Sequence, residues 1–214
     1  QITNDIEVIP NFIELNKNID DKSIPCYRSV IAKAEERVIT HISNFRKVKR
    51  IPDVIKIFYK IQQQIPAKLM MVGDGPEKEK AEQLCFELGI QDKVIFFGNS
   101  NEIDRILSYS DLFLLPSETE SFGLAALEAM ALSVPVISSN SGGLPEVNFN
   151  GISGYLSDVG AIDAMAENAL KIIRDEKTLQ EFKARAIETA KQFDIQNILP
   201  LYEELYLRAI SIYA

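Results

Sequence analysis

SDLFLLPSETESFGLAALEAMALSVPVISSNSGGLPE, residues 110–146, decides the fold, because two apolar runs of strand length flank one stretch of helical length. DLFLLPS (111–117) predicts a buried strand stopped by Pro116, and VPVISSN (134–140) predicts another. Between them a polar turn delivers the chain into a helix expected from about Ser121 to Leu132. A strand, a helix and a strand with short joints form the unit of a parallel sheet.

The same alternation extends both ways. Upstream, RVITHIS (37–43), AKLMMVG (67–73) and KVIFFG (93–98) predict strands. IPDVIKIFYKIQQQI (51–65) sets Ile51, Val54, Ile55, Phe58 and Ile61 at helical spacing, and Pro66 closes it. PEKEKAEQLCFELG opens with Pro76 in a first-turn position and ends at Gly89 as a helical C′ residue; NEIDRILSYS (101–110) predicts a short helix. Downstream lie the strand GYLS (154–157) and helices over 161–175, 177–192 and 198–213. Residues 1–36 lead into the sheet through a short strand and turn, EVIPNFIEL, and a polar loop, NKNIDDKSIP. The fold class is therefore α/β, a Rossmann-like doubly wound parallel sheet. Residues 37–197 form the domain, 1–36 its lead-in, and 198–214 a final helix.

Of the 214 residues 46% are apolar and 25% charged, the balance of a globular chain; no apolar run reaches the ~20 residues of a membrane span. The formal charge of −8 speaks against a nucleic-acid partner. QITNDIEVIPNF has no signal-peptide pattern, and Cys26 and Cys85 read as buried thiols, so the expected location is the cytoplasm. His41 has no partner at metal-ligand spacing and reads as a satisfied core or edge histidine.

In a doubly wound sheet, ligands sit beyond the carboxyl ends of the strands. Helix starts carry free N–H groups and partial positive charge, so Gly123, near such a start, marks a place for an anion such as a diphosphate. Glu120 precedes this helix and Glu128 lies within it. Counted as helix they are roughly 12 Å apart, about the reach from a sugar across a pyrophosphate to a ribose. Carboxylates suit both ends, since each accepts hydroxyl hydrogen bonds in fixed geometry. With 31 acids in 214 residues, such a spacing arises by chance in roughly one case in seven. The plainer alternative is that Glu120 caps the helix and Glu128 is solvated. SNFRKVKR (43–50) adds Arg46, Lys47, Lys49 and Arg50 at the end of the first strand: a phosphate pocket or a solvated basic turn. SGGLPEV (141–147) adds paired glycines and Glu146. Gly73, in the turn after the second strand, joins the residues expected to face the ligand.

Together, VGDGPE, VIFFG, SDLFLLPSETESFGLAALEAMALSVPVISSNSGGLPE and NGISGYL resemble, in order and spacing, the retaining glycosyltransferases of GT-B architecture, family 4, with Glu120 and Glu128 as their E-x7-E motif. The resemblance covers about residues 5–200. SNFRKVKR with ETESFGLAALEAMA is most similar to the branch that moves N-acetylglucosamine from UDP to L-malate in bacillithiol biosynthesis. The resemblance implies that this chain is the C-terminal, donor-binding domain. Glu128 would hold the ribose hydroxyls, Glu120 the transferred sugar, Lys49 the diphosphate, and the amides of Phe122, Gly123 and Leu124 the helix-start site. The catalytic residues would be Glu120 and Lys49, with a UDP-sugar as donor substrate, no cofactor and no metal. Where the family carries an arginine, this sequence has Asn44, so either Asn44 bonds the phosphate or Arg46 substitutes. The implied partners are a small-molecule acceptor and an N-terminal domain, without which the chain would transfer no sugar. The tail PLYEELYLRAISIY would cross back to that domain, and a homo-oligomer through its apolar face is the other arrangement to test.

Three rival functions remain in view: a family-4 glycosyltransferase with another donor or a glycan or lipid acceptor, a non-catalytic binding module, against which Glu120, Glu128 and Lys49 stand, and, last, an NAD-dependent dehydrogenase. The latter needs GxGxxG after the first strand, where SNFRKVK has no glycine.

Overall fold

The structure, a computed structural model, describes residues 6–15 and 28–213. Cys26 and the loop NKNIDDKSIP lie outside the described residues. The order is α1 (Arg28–Ile31), β1 (Arg37–Ile42), α2 (Ile51–Gln62), β2 (Ala67–Val72), α3 (Lys78–Glu87), β3 (Val94–Gly98), α4 (Ile103–Ser108) and β4 (Leu112–Leu115). It continues with α5 (Leu124–Ala131), β5 (Val136–Ser139), α6 (Leu144–Val147), β6 (Gly154–Ser157), α7 (Ile162–Ile173), α8 (Glu176–Lys191) and α9 (Ile195–Tyr213). The strands form one parallel sheet in the order β3-β2-β1-β4-β5-β6. The chain runs outward from β1 in both directions, so the topological switch falls between β1 and β4.

Helices cover both faces, which is why the strands read as continuous apolar runs rather than alternating ones. On one face, Ile39, Leu69, Met71, Leu112, Leu114 and Ile137 pack under α2, α3 and α7. On the other, Phe113, Leu115 and Val136 pack under α5 and α8. Leu112 and Leu114 against Phe113 and Leu115 show the period of two that sends neighbouring side chains to opposite layers. In α2, all five residues of the expected stripe are fully buried. The end of α3 is a Schellman turn: Gly89 takes φ +66°, its amide bonds Phe86, and the Ile90 amide bonds Cys85.

Several boundaries differ from the sequence expectation. α3 begins at Lys78, so Pro76 lies in the preceding turn rather than in the helix. Among the described residues of the lead-in there is no strand beyond a single bridge from Ile13 to Asp194, where Ile13 exchanges backbone bonds with Phe193 and Ile195 in the turn between α8 and α9. α9 starts at Ile195 and carries Pro200 inside it. Against α9 pack Phe12, edge-on to Tyr202, and Glu7, paired with Arg208. Tyr206, Leu207 and Ile210 on α9 are exposed, as are Ile6 and Val8. No helix among the described residues is long and apolar enough to cross a membrane.

Candidate functional site

The turn after β1 is held tightly. Phe45 is fully buried yet adopts φ +26°, and Arg50, which caps α2, adopts φ +52°. These are two of three non-glycine residues with positive φ among those described, and such conformations cost about 1–3 kcal/mol each unless the surroundings enforce them. Here they do. The Phe45 carbonyl accepts the Glu77 amide at 3.0 Å, and Asp53 accepts Arg50 Nε at 2.5 Å. Between them a single 3-10 turn, Lys47–Lys49, aims Lys49 across the switch point.

The turn after β4 meets it there. The Glu118 amide bonds the Val48 carbonyl at 2.8 Å, tying the two turns together. On its other side, Ser139 Oγ donates to the Ser117 carbonyl, Ser141 Oγ to the Glu118 carbonyl, and the Gly143 amide to the Glu120 carbonyl. The paired glycines of SGG permit this contact: a Cβ on Gly143 would lie 2.5 Å from the Ser121 carbonyl oxygen, and one on Gly142 would collide with that of Glu120. Their role is to let backbone approach backbone and so fix Glu120.

The two turns bring together Lys49 and Glu120, 71 residues apart in sequence, with Nζ to Oε1 at 2.7 Å. Ser117 Oγ donates to the same oxygen at 2.7 Å. The side chains are 20% and 13% exposed, so the pair is partly withdrawn from water and less screened than a surface ion pair. Ser117 was not singled out from sequence, although its position three residues before an acid is a recognisable local hydrogen-bonding pattern.

The helix expected from Ser121 begins only at Leu124, because Gly123 at φ +101° is its N-cap. Glu120 is therefore not helical, and the 12 Å spacing obtained by counting it as helix does not apply. Ala126 and Leu127 donate to the Gly123 carbonyl, leaving the preceding amides without an intrahelical acceptor, as at any helix start. On α5, Leu124 and Glu128 share the exposed stripe while Ala126, Leu127, Ala129 and Met130 face the core. Phe122 is half-buried, its ring edge-on to Phe193. Asn44 and Arg46 are exposed, as is Glu146. Gly73 has a packing reason to be glycine: at φ +122°, an added Cβ would collide with the Ser43 carbonyl. Among the described residues, no group of three or more His, Cys, Asp or Glu side chains could hold a metal ion.

A family model described as glycosyl transferases group 1 matches residues 27–192. The chain belongs to that family. This group 1 glycosyltransferase domain is 41% identical over 203 residues to the N-acetyl-alpha-D-glucosaminyl L-malate synthase of Bacillus anthracis, covering 94% of this chain and 53% of the relative. It is 30% identical over 189 residues to the D-inositol 3-phosphate glycosyltransferase of Mycobacterium marinum, covering 84% and 40%. The chain thus spans about half the length of these relatives. Among solved structures, Anabaena Alr3699/HepE, crystallised with UDP and glucose, superposes with a TM-score of 0.85 at 25% identity, covering 94% of this chain and 57% of that one. The Rossmann-like doubly wound sheet expected from the sequence is the fold observed, and the family is one of enzymes.

In this glycosyltransferase domain His41 is fully buried beside the ion pair, as a satisfied core histidine should be: Nδ1 lies 2.8 Å from the Leu114 carbonyl and Nε2 2.8 Å from Ser43 Oγ. Burial lowers its pKa from 6.5 to about 4; the Leu114 carbonyl opposes this, the charge of Lys49 adds to it, and Glu120 opposes it. Between those two values the unfolded chain binds a proton that the native one refuses. Native stability is therefore complete above about pH 6.5 and lost as the pH falls toward 4, by roughly 3 kcal/mol. Urea unfolding near pH 7 and near pH 4.5 should show an acid-dependent loss smaller in His41→Gln by about 2–3 kcal/mol. Equal losses in both proteins would remove this account of His41.

Proposed function

We propose that this domain binds the donor of a retaining hexosyltransferase, a UDP-sugar, and that the whole protein moves N-acetylglucosamine to a small hydroxy acid of the L-malate type. One observation carries the reading: a lysine and a glutamate, partly withdrawn from water, meet at the switch point of a doubly wound sheet beside the glycine-capped start of α5. The relative from Bacillus anthracis supports the sugar and acceptor, and the HepE complex with UDP and glucose supports the nucleotide.

In this reading the diphosphate rests on the first amides of α5, about Phe122, Gly123 and Leu124, and draws Lys49 away from Glu120. Asn44 or Arg46, at the rim, supplies a further phosphate contact. Released from its ion pair, the Glu120 carboxylate accepts hydroxyl hydrogen bonds from the transferred sugar, while Glu128 holds the ribose hydroxyls. Negative charge grows on the diphosphate as the glycosidic bond breaks, so fixed donors aimed at it stabilise the transition state more than the ground state. Gly73 lies behind this surface and shapes it. An N-terminal domain supplies the acceptor site, and the apolar face of α9 is the surface on this side of such an assembly.

Calorimetric titration with UDP tests the reading. The chain should bind UDP, and Glu128→Ala should weaken binding roughly 10- to 100-fold, the worth of hydroxyl bonds to a charged acceptor. Unchanged affinity would take the ribose away from Glu128.

A further inference from the structure

His41 is a buried titratable group with no part in the chemistry assigned above, and both of its ring nitrogens are committed. A carbonyl oxygen has no hydrogen to give, so the contact to Leu114 requires the proton on Nδ1. The ring is neutral at physiological pH, since its pKa lies near 4. Nε2 then offers only a lone pair, and Ser43 Oγ, 2.8 Å away, must donate its hydrogen to it.

Ser43 is the first residue after β1, half-buried, and begins the turn that ends in Lys49. Its amide is bound to the Val72 carbonyl, so its backbone is anchored in line with the sheet. With its one proton directed to His41, the half-buried hydroxyl has only lone pairs left to offer a further partner. An ordinary serine there could turn and donate to phosphate; this one cannot. Ionised phosphate oxygens are themselves acceptors, so the group that lies on Ser43 must carry a hydrogen of its own. His41 reaches across to the Leu114 carbonyl of β4, the strand that leads into the Glu120 turn, so the Ser43 hydroxyl it holds lies on the β4 side of β1, the side of the residue assigned to the sugar.

We propose that His41 is a positioning residue that locks Ser43 Oγ as a hydrogen-bond acceptor for a hydroxyl of the transferred sugar, making Ser43 a determinant of sugar binding rather than of nucleotide binding. The inference rests on the donor-site reading above, and the test separates the two. This chain and its variants are titrated with UDP and with UDP-N-acetylglucosamine. Ser43→Ala should weaken UDP-N-acetylglucosamine about three- to tenfold, the worth of one neutral hydrogen bond, and leave UDP within about twofold. His41→Phe, which frees the hydroxyl to rotate, should have the same selective effect, and the double variant should be no worse than either single one. His41→Gln, which keeps one donor and one acceptor, should restore most of the loss. Merely structural damage would weaken both ligands alike. Equal loss for the two ligands, additive losses in the double variant, or no loss in Ser43→Ala would each overturn the inference. Failure of the unaltered chain to bind UDP would overturn the donor-site reading first, and the assignment of Ser43 with it.

Discussion

Lys49→Met is expected to weaken UDP binding by roughly 10- to 100-fold while leaving the affinity for uridine unchanged. Two effects add. The variant removes a charge-assisted hydrogen bond to the diphosphate, worth about 1.5–3 kcal/mol. It also unmasks Glu120, only 13% exposed and then held by Ser117 alone, as a carboxylate facing an anion. Methionine keeps most of the packing of the lysine stem, so the loss reports charge rather than volume. Because part of the effect is repulsion, Lys49→Met combined with Glu120→Gln should recover some of the affinity. Calorimetric titrations with uridine, UMP and UDP decide the matter, and a loss shared equally by uridine and UDP would show that Lys49 acts on something other than phosphate.

Gly73→Ala should cost about 3 kcal/mol or more in stability, on the order of 6–12 °C in melting temperature for a domain of this size. The added Cβ meets the Ser43 carbonyl, a backbone group in register at the end of β1, and φ +122° is closed to alanine in any case. Neither partner can move without shifting the turn that carries Lys49, so UDP affinity should fall with stability. Gly89→Ala is the control: it also sits at positive φ, but nothing lies within 4 Å of its added Cβ, and a loss of only about 1 kcal/mol is expected. Urea unfolding of the two variants checks the contrast. A Gly73→Ala protein no less stable than Gly89→Ala would mean that the turn yields easily and that Gly73 owes its place to the ligand alone.

These residues also show where sequence reading reaches and where it stops. Runs such as AKLMMVG and DLFLLPS announce buried parallel strands because both faces of the sheet are covered, and the stripe of α2 is legible because its period is local. The E-x7-E spacing is visible as text, but its geometry is not: a glycine at φ +101° delays the helix to Leu124 and leaves Glu120 in a turn. Nor does spacing reveal that Lys49 and Glu120 touch, since the contact depends on how β1 and β4 lie side by side. The glycines of GDGP and SGG look like ligand-facing turns from sequence. In the fold, Gly73, Gly75, Gly142 and Gly143 let the turns around Lys49 and Glu120 pack backbone to backbone, a long-range requirement without a local signature. His41 could be read as a satisfied core residue; which atoms satisfy it could not, because one comes from β4.

The central claim is that the Lys49–Glu120 pair opens to receive a sugar diphosphate at the tip of α5. A crystal structure with UDP-N-acetylglucosamine bound tests it most directly. The expected result is diphosphate oxygens within hydrogen-bond reach of Lys49 Nζ and the first amides of α5, ribose hydroxyls on Glu128, and Glu120 turned to the sugar. A nucleotide bound away from the junction of β1 and β4, with Lys49 Nζ still 2.7 Å from Glu120 Oε1, would contradict it.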